Sequence, residues 1–258
     1  MAIKDILLPL VGEPNAAAIA AIDKCIAMAG NIGARVTAAA AEAVRSVSNA
    51  DGLLKAFEAT AIRFGVRNEQ RIYRLAEEDI PANFAVCARL KDLSIVPVKP
   101  HDDRTEKIVE RLIFGSGRPI LMCPEEFAAD LAVTLDQAVI AWDHSAPAAR
   151  AVADALPLLQ AAANVRIITA TDNKTPSELE SGAALVSHLA EHGIKASFET
   201  VKIGGSSVGK VFEAYVNANS IDLLVMGAYR HSRLNEIVWG GATKTVIGRP
   251  PCWVMMSR

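Results

Sequence analysis

The feature that most limits how this chain can fold is an internal repeat. The stretch "KDLSIVPV" (Lys91–Val98), followed by "GRPILMCP" (Gly117–Pro124), recurs as "IDLLVMGA" (Ile221–Ala228), followed by "GRPPCWVM" (Gly248–Met255). The spacing between the two stretches is nearly the same in both places. Self-similarity of this kind indicates that one supersecondary unit occurs twice.

The repeat extends to the beginning of each half. Residues Asp5–Ala29 correspond to Gln137–Ala161, and each contains an apolar strand pattern, a short loop and an alanine-rich helix pattern. We therefore predict two similar domains in tandem, residues 1–128 and 132–258, which pair as an internal pseudo-dimer.

Strand and helix patterns alternate along each half. The apolar strand patterns of the second half are Gln137–Trp142, Val165–Ala170, Ala196–Ile203, Leu223–Met226 and Cys252–Met256. The helical patterns between them are Ala146–Gln160, Ser177–His192, Val208–Asn219 and Leu234–Ile247. Short, nearly all-apolar strands that alternate with helices predict an α/β fold, with two tandem doubly wound, Rossmann-like parallel sheets of five strands. Ligands bind such sheets beyond the carboxyl ends of the strands, at the switch point.

Composition excludes several classes of partner. The net charge of −2 gives no electrostatic footprint for nucleic acid, and no apolar span reaches bilayer length. The four cysteines are scattered without a metal-binding or disulfide spacing. We expect a cytosolic protein that contacts neither nucleic acid nor the membrane interior.

Two motifs that suggest an enzyme are incomplete. "GGSSVGKV" (Gly204–Val211) fits a P-loop except that Val211 replaces the hydroxyl residue that holds magnesium. "HLAEH" (His188–His192) has a zinc-peptidase form, but Gly193 predicts the end of the helix and no third ligand follows. We predict no catalytic residue and no metal ligand.

The loop "AWDHSAP" follows the first strand of the second half. Asp143, His144 and Ser145 are consecutive, so they cannot face one another as a hydrolase triad. Ser145 is typical of a helix N-cap. Asp143 is either a ligand acceptor or a solvated loop residue.

The stretch "DLLVMGAYRHSRLNEIVWGGATKTVIGRPPCWVMM" ends the chain. Gly227 permits a sharp turn or a close approach of a ligand to the backbone. The run Gly240, Gly241, Ala242 and Thr243 offers amides for a phosphate if it starts a helix. If it lies inside a helix, the glycine pair is only a kink or break.

Together with "AWDHSAPAARAVADALPLL", this stretch resembles the C-terminal half of a tandem universal stress protein, whose domains have an adenine-nucleotide alpha-hydrolase-like fold. The nucleotide-binding branch of that family carries G-x-x-G, nine residues, then G-[ST]. Gly227 matches the first glycine, Gly240 matches the last one after His231–Trp239, and Asp143 matches an acidic residue near the adenosine. The resemblance implies that the second half binds ATP or ADP, with or without magnesium, and that Ser145 and His231 are also among the residues that contact the nucleotide.

The chain departs from the family pattern at two motif positions. Arg230 replaces the second glycine, where it either crowds a phosphate or binds it, and Gly241 replaces the Ser or Thr. Thr243, at a threonine often present in the family, offers another hydroxyl.

The first half departs further from the pattern. We place Leu10 opposite Asp143 and Pro97 opposite Gly227, with Asp102 and Asp103 near the phosphate position. We therefore expect this half to be a structural partner or a site for another ligand.

The resemblance implies a stress-response regulator that acts through contacts with another protein, with at most very slow ATP hydrolysis, and that can form a homodimer. Three alternatives stay open: a regulator without nucleotide, a binder of another metabolite between the halves, and a slow NTPase that uses Asp143 or His144.

Overall fold

The N-terminal unit, residues 2–133, is built on five short parallel strands. In this computed structural model the described residues of the chain are 2–44, 49–130, 132–172, 176–228, 230–233, 236–239 and 241–258. The strands of the N-terminal unit are β1 Asp5–Leu10, β2 Arg35–Ala43, β3 Asn68–Leu75, β4 Leu93–Val98 and β5 Ile120–Pro124. Its helices are α1 Ala16–Ile32, α2 Ala50–Arg63, α3 Ile80–Ala88 and α4 Asp103–Gly115, with 3₁₀ turns at Glu77–Asp79 and Glu125–Asp130.

The C-terminal unit, residues 134–258, has the same kind of framework. Its parallel strands are β6 Gln137–Ala141, β7 Asn164–Ala170, β8 Ala196–Val201, β9 Leu223–Gly227 and β12 Trp253–Ser257. A separate antiparallel hairpin is formed by β10 Arg230–Arg233 and β11 Glu236–Trp239. The helices are α5 Ala146–Leu159, α6 Pro176–Glu191, α7 Val208–Ala218 and α8 Gly241–Gly248.

Strand order is the same in the two units. It is β3-β2-β1-β4-β5 in the first and β8-β7-β6-β9-β12 in the second. In both, the chain moves outward from the first strand in one direction and then returns to its other side, so the switch point lies between β1 and β4 and between β6 and β9. The prediction of doubly wound parallel sheets of five strands is confirmed.

An aspartate at the same position in each repeat links the two central strands through side-chain hydrogen bonds. Asp92 Oδ2 accepts hydrogen bonds from the amides of Lys4 and Asp5, at 2.8 and 3.0 Å, beside the start of β1. Asp222 Oδ2 accepts one from the amide of Gln137, at 2.8 Å, beside the start of β6. The repeated pattern in the sequence thus corresponds to a repeated interaction that satisfies backbone amides at the strand ends.

One predicted helix, Leu234–Ile247, is wrong over its first part. Glu236–Trp239 is a strand of the hairpin, and the helix begins only at Gly241. The run Ile237, Val238 and Trp239 consists of β-branched and aromatic residues, which favour a strand over a helix. Leu234 and Asn235 lie outside the described residues. The other predicted strands and helices of the second half are present, with small differences at their ends.

None of the helices in the described ranges is both long enough and apolar enough to span a bilayer.

Candidate functional site

A cavity of about 780 Å³ lies in the C-terminal unit at the carboxyl ends of β6, β7 and β9. This volume is within the range of about 300–1,000 Å³ that is typical of small-molecule sites. Its walls are formed by Ala141, Trp142, Asp143, His144, Thr169, Ala170, Ser177, Ser181, Ser206, Ser207, Val208, Phe212, Met226, Gly227, Gly241, Ala242 and Thr243. A doubly wound sheet binds its ligand at this switch point.

The loop after β6 carries Asp143 on the cavity wall. The side chain is exposed, and its Oδ1 accepts a hydrogen bond from the amide of Ser145 at 3.0 Å. Within the described residues no partner is found for Oδ2, which remains available to a ligand. His144 has φ 62°, so the loop is held in a tight left-handed turn.

Ser145 has a structural role in the same loop. Its Oγ accepts a hydrogen bond from the amide of Ala148 at 3.1 Å and caps α5, which agrees with its N-cap pattern. Ser145 is not among the residues that line the cavity.

Gly227 ends β9 where the backbone of α5 passes close by. A Cβ at this position would lie 2.5 Å from the amide nitrogen of Ala148 and 2.7 Å from the carbonyl carbon of Pro147. Its φ is not in the left-handed region, so the requirement for glycine here comes from crowding and not from the backbone angle. The close approach that the glycine permits is to the protein's own helix, while the residue also borders the cavity.

The first turn of α8 forms another part of the wall. A Cβ added to Gly241 would have no heavy atom within 4 Å, so this residue opens onto free space. The hydroxyl of Thr245 donates to the carbonyl of Gly241 at 2.9 Å, while Thr243 is only 1% exposed. The first amides of a helix have no intrahelical partner and lie at the positive end of the dipole, which suits an anion.

The structure brings five of the predicted site residues around one cavity: Asp143, Gly227, Gly241, Ala242 and Thr243. Arg230 and His231 belong to β10, and only their backbone is described. Gly240 lies outside the described residues. The predicted run of small residues thus begins a helix, which is the arrangement needed for a phosphate contact.

Several wall residues were not predicted. Trp142 donates its indole N–H to Ser181 Oγ at 2.8 Å, and its carbonyl accepts from Thr169 Oγ1 at 2.8 Å. Ser206 and Ser207 reach the wall from the turn before α7. These two serines belong to the incomplete P-loop motif, so a glycine-rich turn between a strand and a helix was the available signal.

A glycine turn brings these serines to the cavity. Gly204 and Gly205 have φ values of 58° and 76°, which a side chain rarely tolerates. Asp172 Oδ1 accepts hydrogen bonds from the amides of Ile203 and Gly204 at 3.0 and 2.8 Å. Ser207 then caps α7 through the amide of Lys210.

The equivalent edge of the N-terminal sheet is different. The β1–β4 register pairs Ile6 with Leu93, as the β6–β9 register pairs Ala138 with Leu223. This register places Val11, not Leu10, opposite Asp143, and our assignment of Leu10 was one residue early. Val11 also lacks a carboxylate.

The predicted acidic residues of the N-terminal unit do not act alike. Asp102 caps α4 by accepting from the amide and hydroxyl of Thr105, at 2.9 and 2.7 Å, and it lines a cavity of about 210 Å³. Asp103 is exposed and does not line that cavity. Pro97 lines the cavity at the position that Gly227 has in the other unit, so no amide N–H is offered there.

Comparison with known proteins identifies relatives of the C-terminal unit and of the whole fold. Residues 134–258 match the Universal stress protein family. The chain is also 29% identical over 155 residues to the universal stress protein Slr1230 of Synechocystis sp., covering 58% of this chain and 50% of that protein. The chain therefore spans about half the length of the curated relative it matches.

Solved universal stress proteins share the fold. A crystal structure from Archaeoglobus fulgidus DSM 4304 is 12% identical and covers 98% of both chains at a TM-score of 0.69. A protein from Pseudomonas aeruginosa UCBPP-PA14 is 14% identical and covers 99% of this chain and 93% of its own at a TM-score of 0.63. At these identities the similarity establishes the fold alone, and it includes both units.

Proposed function

We propose that this protein is a tandem universal stress protein whose C-terminal unit binds one adenine nucleotide, ATP or ADP. The observation that carries the proposal is the cavity at the switch point, which has Asp143 on one wall and the first turn of α8 on another. Asp143 supplies a hydrogen-bond acceptor for the polar part of the nucleoside. The helix start supplies amides for the phosphates.

The dimensions and chemistry of the cavity fit such a ligand. Its volume suits a nucleotide, and its hydroxyl and apolar walls suit a base and a ribose. Gly241 leaves open space where a side chain would otherwise project, so a phosphate can approach its backbone. Magnesium, if bound, would be held chiefly by the phosphates, since carboxylates are scarce on this wall.

Within this proposal the protein is a cytosolic regulator that acts through contacts with another protein, and it is not an efficient enzyme. Asp143 and His144 are the titratable side chains among the described wall residues. An efficient NTPase also needs a positioned base or water-orienting group and a clamp on the transferred phosphate. Any ATP turnover should therefore be far below the usual enzyme range of about 1–1,000 per second.

Isothermal titration of the whole chain with ATP, ADP and AMP, with and without magnesium, tests the proposal. We expect saturation near one nucleotide per chain, with ATP and ADP bound more tightly than AMP because of the helix-end contacts. Binding of two nucleotides per chain would contradict the assignment to one unit. No binding of any of the three would overturn the proposed function.

A further inference from the structure

The smaller cavity, about 210 Å³, lies in the N-terminal unit at the carboxyl ends of β1 and β4. Its floor is apolar, formed by the buried side chains of Leu10, Ile22 and Leu53. The volume is below the range of about 300–1,000 Å³ for drug-sized ligands, so a nucleotide does not fit. A small molecule with a short hydrocarbon portion does.

Most polar groups on its wall already have structural partners. Asn15 caps α1 through the amide of Ala18 at 3.0 Å, and Asp102 caps α4. Arg104 Nε pairs with Glu77 Oε1 at 2.6 Å. These contacts use Asn15 Oδ1 and Asp102 Oδ2, and they maintain the two helix starts and the rim.

Three charged wall residues differ from these: Glu13, Lys99 and Glu125. Within the described part of the chain, their side chains form no hydrogen bond and no ion pair. Glu13 and Lys99 are exposed, while Glu125 is half-buried at the end of β5. Burial raises the pKa of the Glu125 carboxyl; the charge of Lys99 opposes that shift, and the negative charge of Asp102 adds to it. Lys99 and Glu125 thus line one cavity and interact through their charges without a direct contact.

A half-buried carboxyl without a donor is costly, and the cost is relieved by a ligand that brings a positive hydrogen-bond donor. Lys99, close by, provides the opposite charge for a ligand's anionic group. The two charges and the apolar floor are complementary to a molecule that has an ammonium, a carboxylate and a small alkyl group.

We propose that the N-terminal unit binds a small zwitterion of the amino-acid class, with its ammonium at Glu125, its carboxylate near Lys99 and its alkyl group on the apolar floor. This site is separate from the nucleotide cavity, so the inference does not depend on the proposed function of the C-terminal unit.

Ligand-detected NMR on the full chain tests this with L-valine, isobutylamine and isovalerate. The last two have the same branched alkyl group but lack the carboxylate and the ammonium, respectively. We expect saturable binding of L-valine, and binding about tenfold weaker for each single-charge analogue, because each loses one charge-assisted contact. Equal binding of either analogue would overturn the zwitterion assignment, as would the absence of binding by L-valine and every other small aliphatic amino acid.

Variants locate the binding to this cavity. Glu125→Gln and Lys99→Met should each weaken L-valine binding by about tenfold. Glu58→Gln on α2 makes the same chemical change as Glu125→Gln, and Lys107→Met on α4 makes the same change as Lys99→Met. Neither residue lines the cavity, so both variants should bind like the wild type. Unchanged binding by Glu125→Gln, with an unchanged thermal unfolding curve, would place the ligand elsewhere and contradict the proposal.

Discussion

The two units use the same five-stranded sheet but begin the helix after the fourth strand at different places. In the N-terminal unit only residues 99–102 separate β4 from α4, which is 13 residues long. In the C-terminal unit residues 228–240 separate β9 from α8, which has only 8 residues. The cavities at these edges measure about 210 and 780 Å³. The edge with the short connection has the smaller cavity and the edge with the long connection has the larger one, while the strand order is the same.

The residues at the two sheet edges also differ in their chemistry. Where the C-terminal unit has Asp143 and Gly227, the N-terminal unit has Val11 and Pro97, and it adds Glu125 at the end of β5. The first pair leaves a carboxylate at the edge of the cavity, and the second pair provides none. Duplicated sheets can therefore keep one architecture and still present different side chains at the same edge.

The largest effect should come from breaking the close approach at Gly227. Gly227→Val should destabilise the C-terminal unit by about 3 kcal/mol, because its side chain must overlap the backbone of α5. Gly241→Ala is the matched control and should stay within about 0.5 kcal/mol of the wild type, because its Cβ enters open space. Urea unfolding followed by circular dichroism measures both. Similar stability of Gly227→Val and the wild type would show that α5 does not impose the glycine.

The next effect concerns Asp143, at the position where the N-terminal unit has Val11. Asp143→Ala should weaken ATP binding by about 1–3 kcal/mol, the range for a hydrogen bond to a charged group. The reciprocal variant Val11→Asp should create no second nucleotide site, because the N-terminal cavity is too small. Calorimetry checks affinity and stoichiometry together. An unchanged affinity in a folded Asp143→Ala protein would remove this residue from the site.

A smaller effect should follow from removing the aspartate that both repeats share. Asp92→Ala loses two charge-assisted bonds to strand amides and Asp222→Ala loses one, and each variant should lower the free energy of unfolding by about 1–2 kcal/mol. Denaturant midpoints of the two variants test this. A loss confined to one of them would mean that the repeated contact stabilises only one unit.

The smallest effect is a pH dependence present in one unit. Burial tends to raise the pKa of Asp5, but Arg35 and Lys91 outweigh it and hold the pKa below the ordinary value of 3.8. A lowered folded-state pKa gives stability that is present above the unfolded-state value and is lost as the pH falls through the folded-state value. The repeat has Gln137 at this place, which cannot titrate.

Asp5→Asn should therefore cost less than about 1 kcal/mol at neutral pH, as expected for a partly exposed ion pair. The difference from the wild type should be smaller at about pH 3, which is below the ordinary carboxyl pKa of 3.8, than at neutral pH, because protonation in the unfolded state removes part of it there. Urea titrations at the two pH values give the comparison. A cost that is equal at both would assign the effect to packing and not to charge.

A structural feature could be predicted from the sequence when it depends on residues that are close together along the chain. Strands such as Leu223–Met226 can be recognised in the sequence because a strand buried on both faces must be apolar throughout. The helix predicted from Leu234 was wrong because helical spacing in a short apolar run is compatible with a strand, and the β-branched run Ile237–Val238 decides for the hairpin. Ser206 and Ser207 were missed because their turn is distant in sequence from the other wall residues.

The repeat, the order of elements and the N-cap at Ser145 follow from local patterns, because periodicity and capping depend on residues a few positions apart. The role of Gly227 does not follow from them, since the atoms that crowd it belong to α5, far away in the sequence. The same holds for the size of the two cavities, which depends on where a helix begins relative to the sheet edge. It holds also for Lys99 and Glu125, whose shared cavity exists only because β4 and β5 are neighbours in the folded sheet.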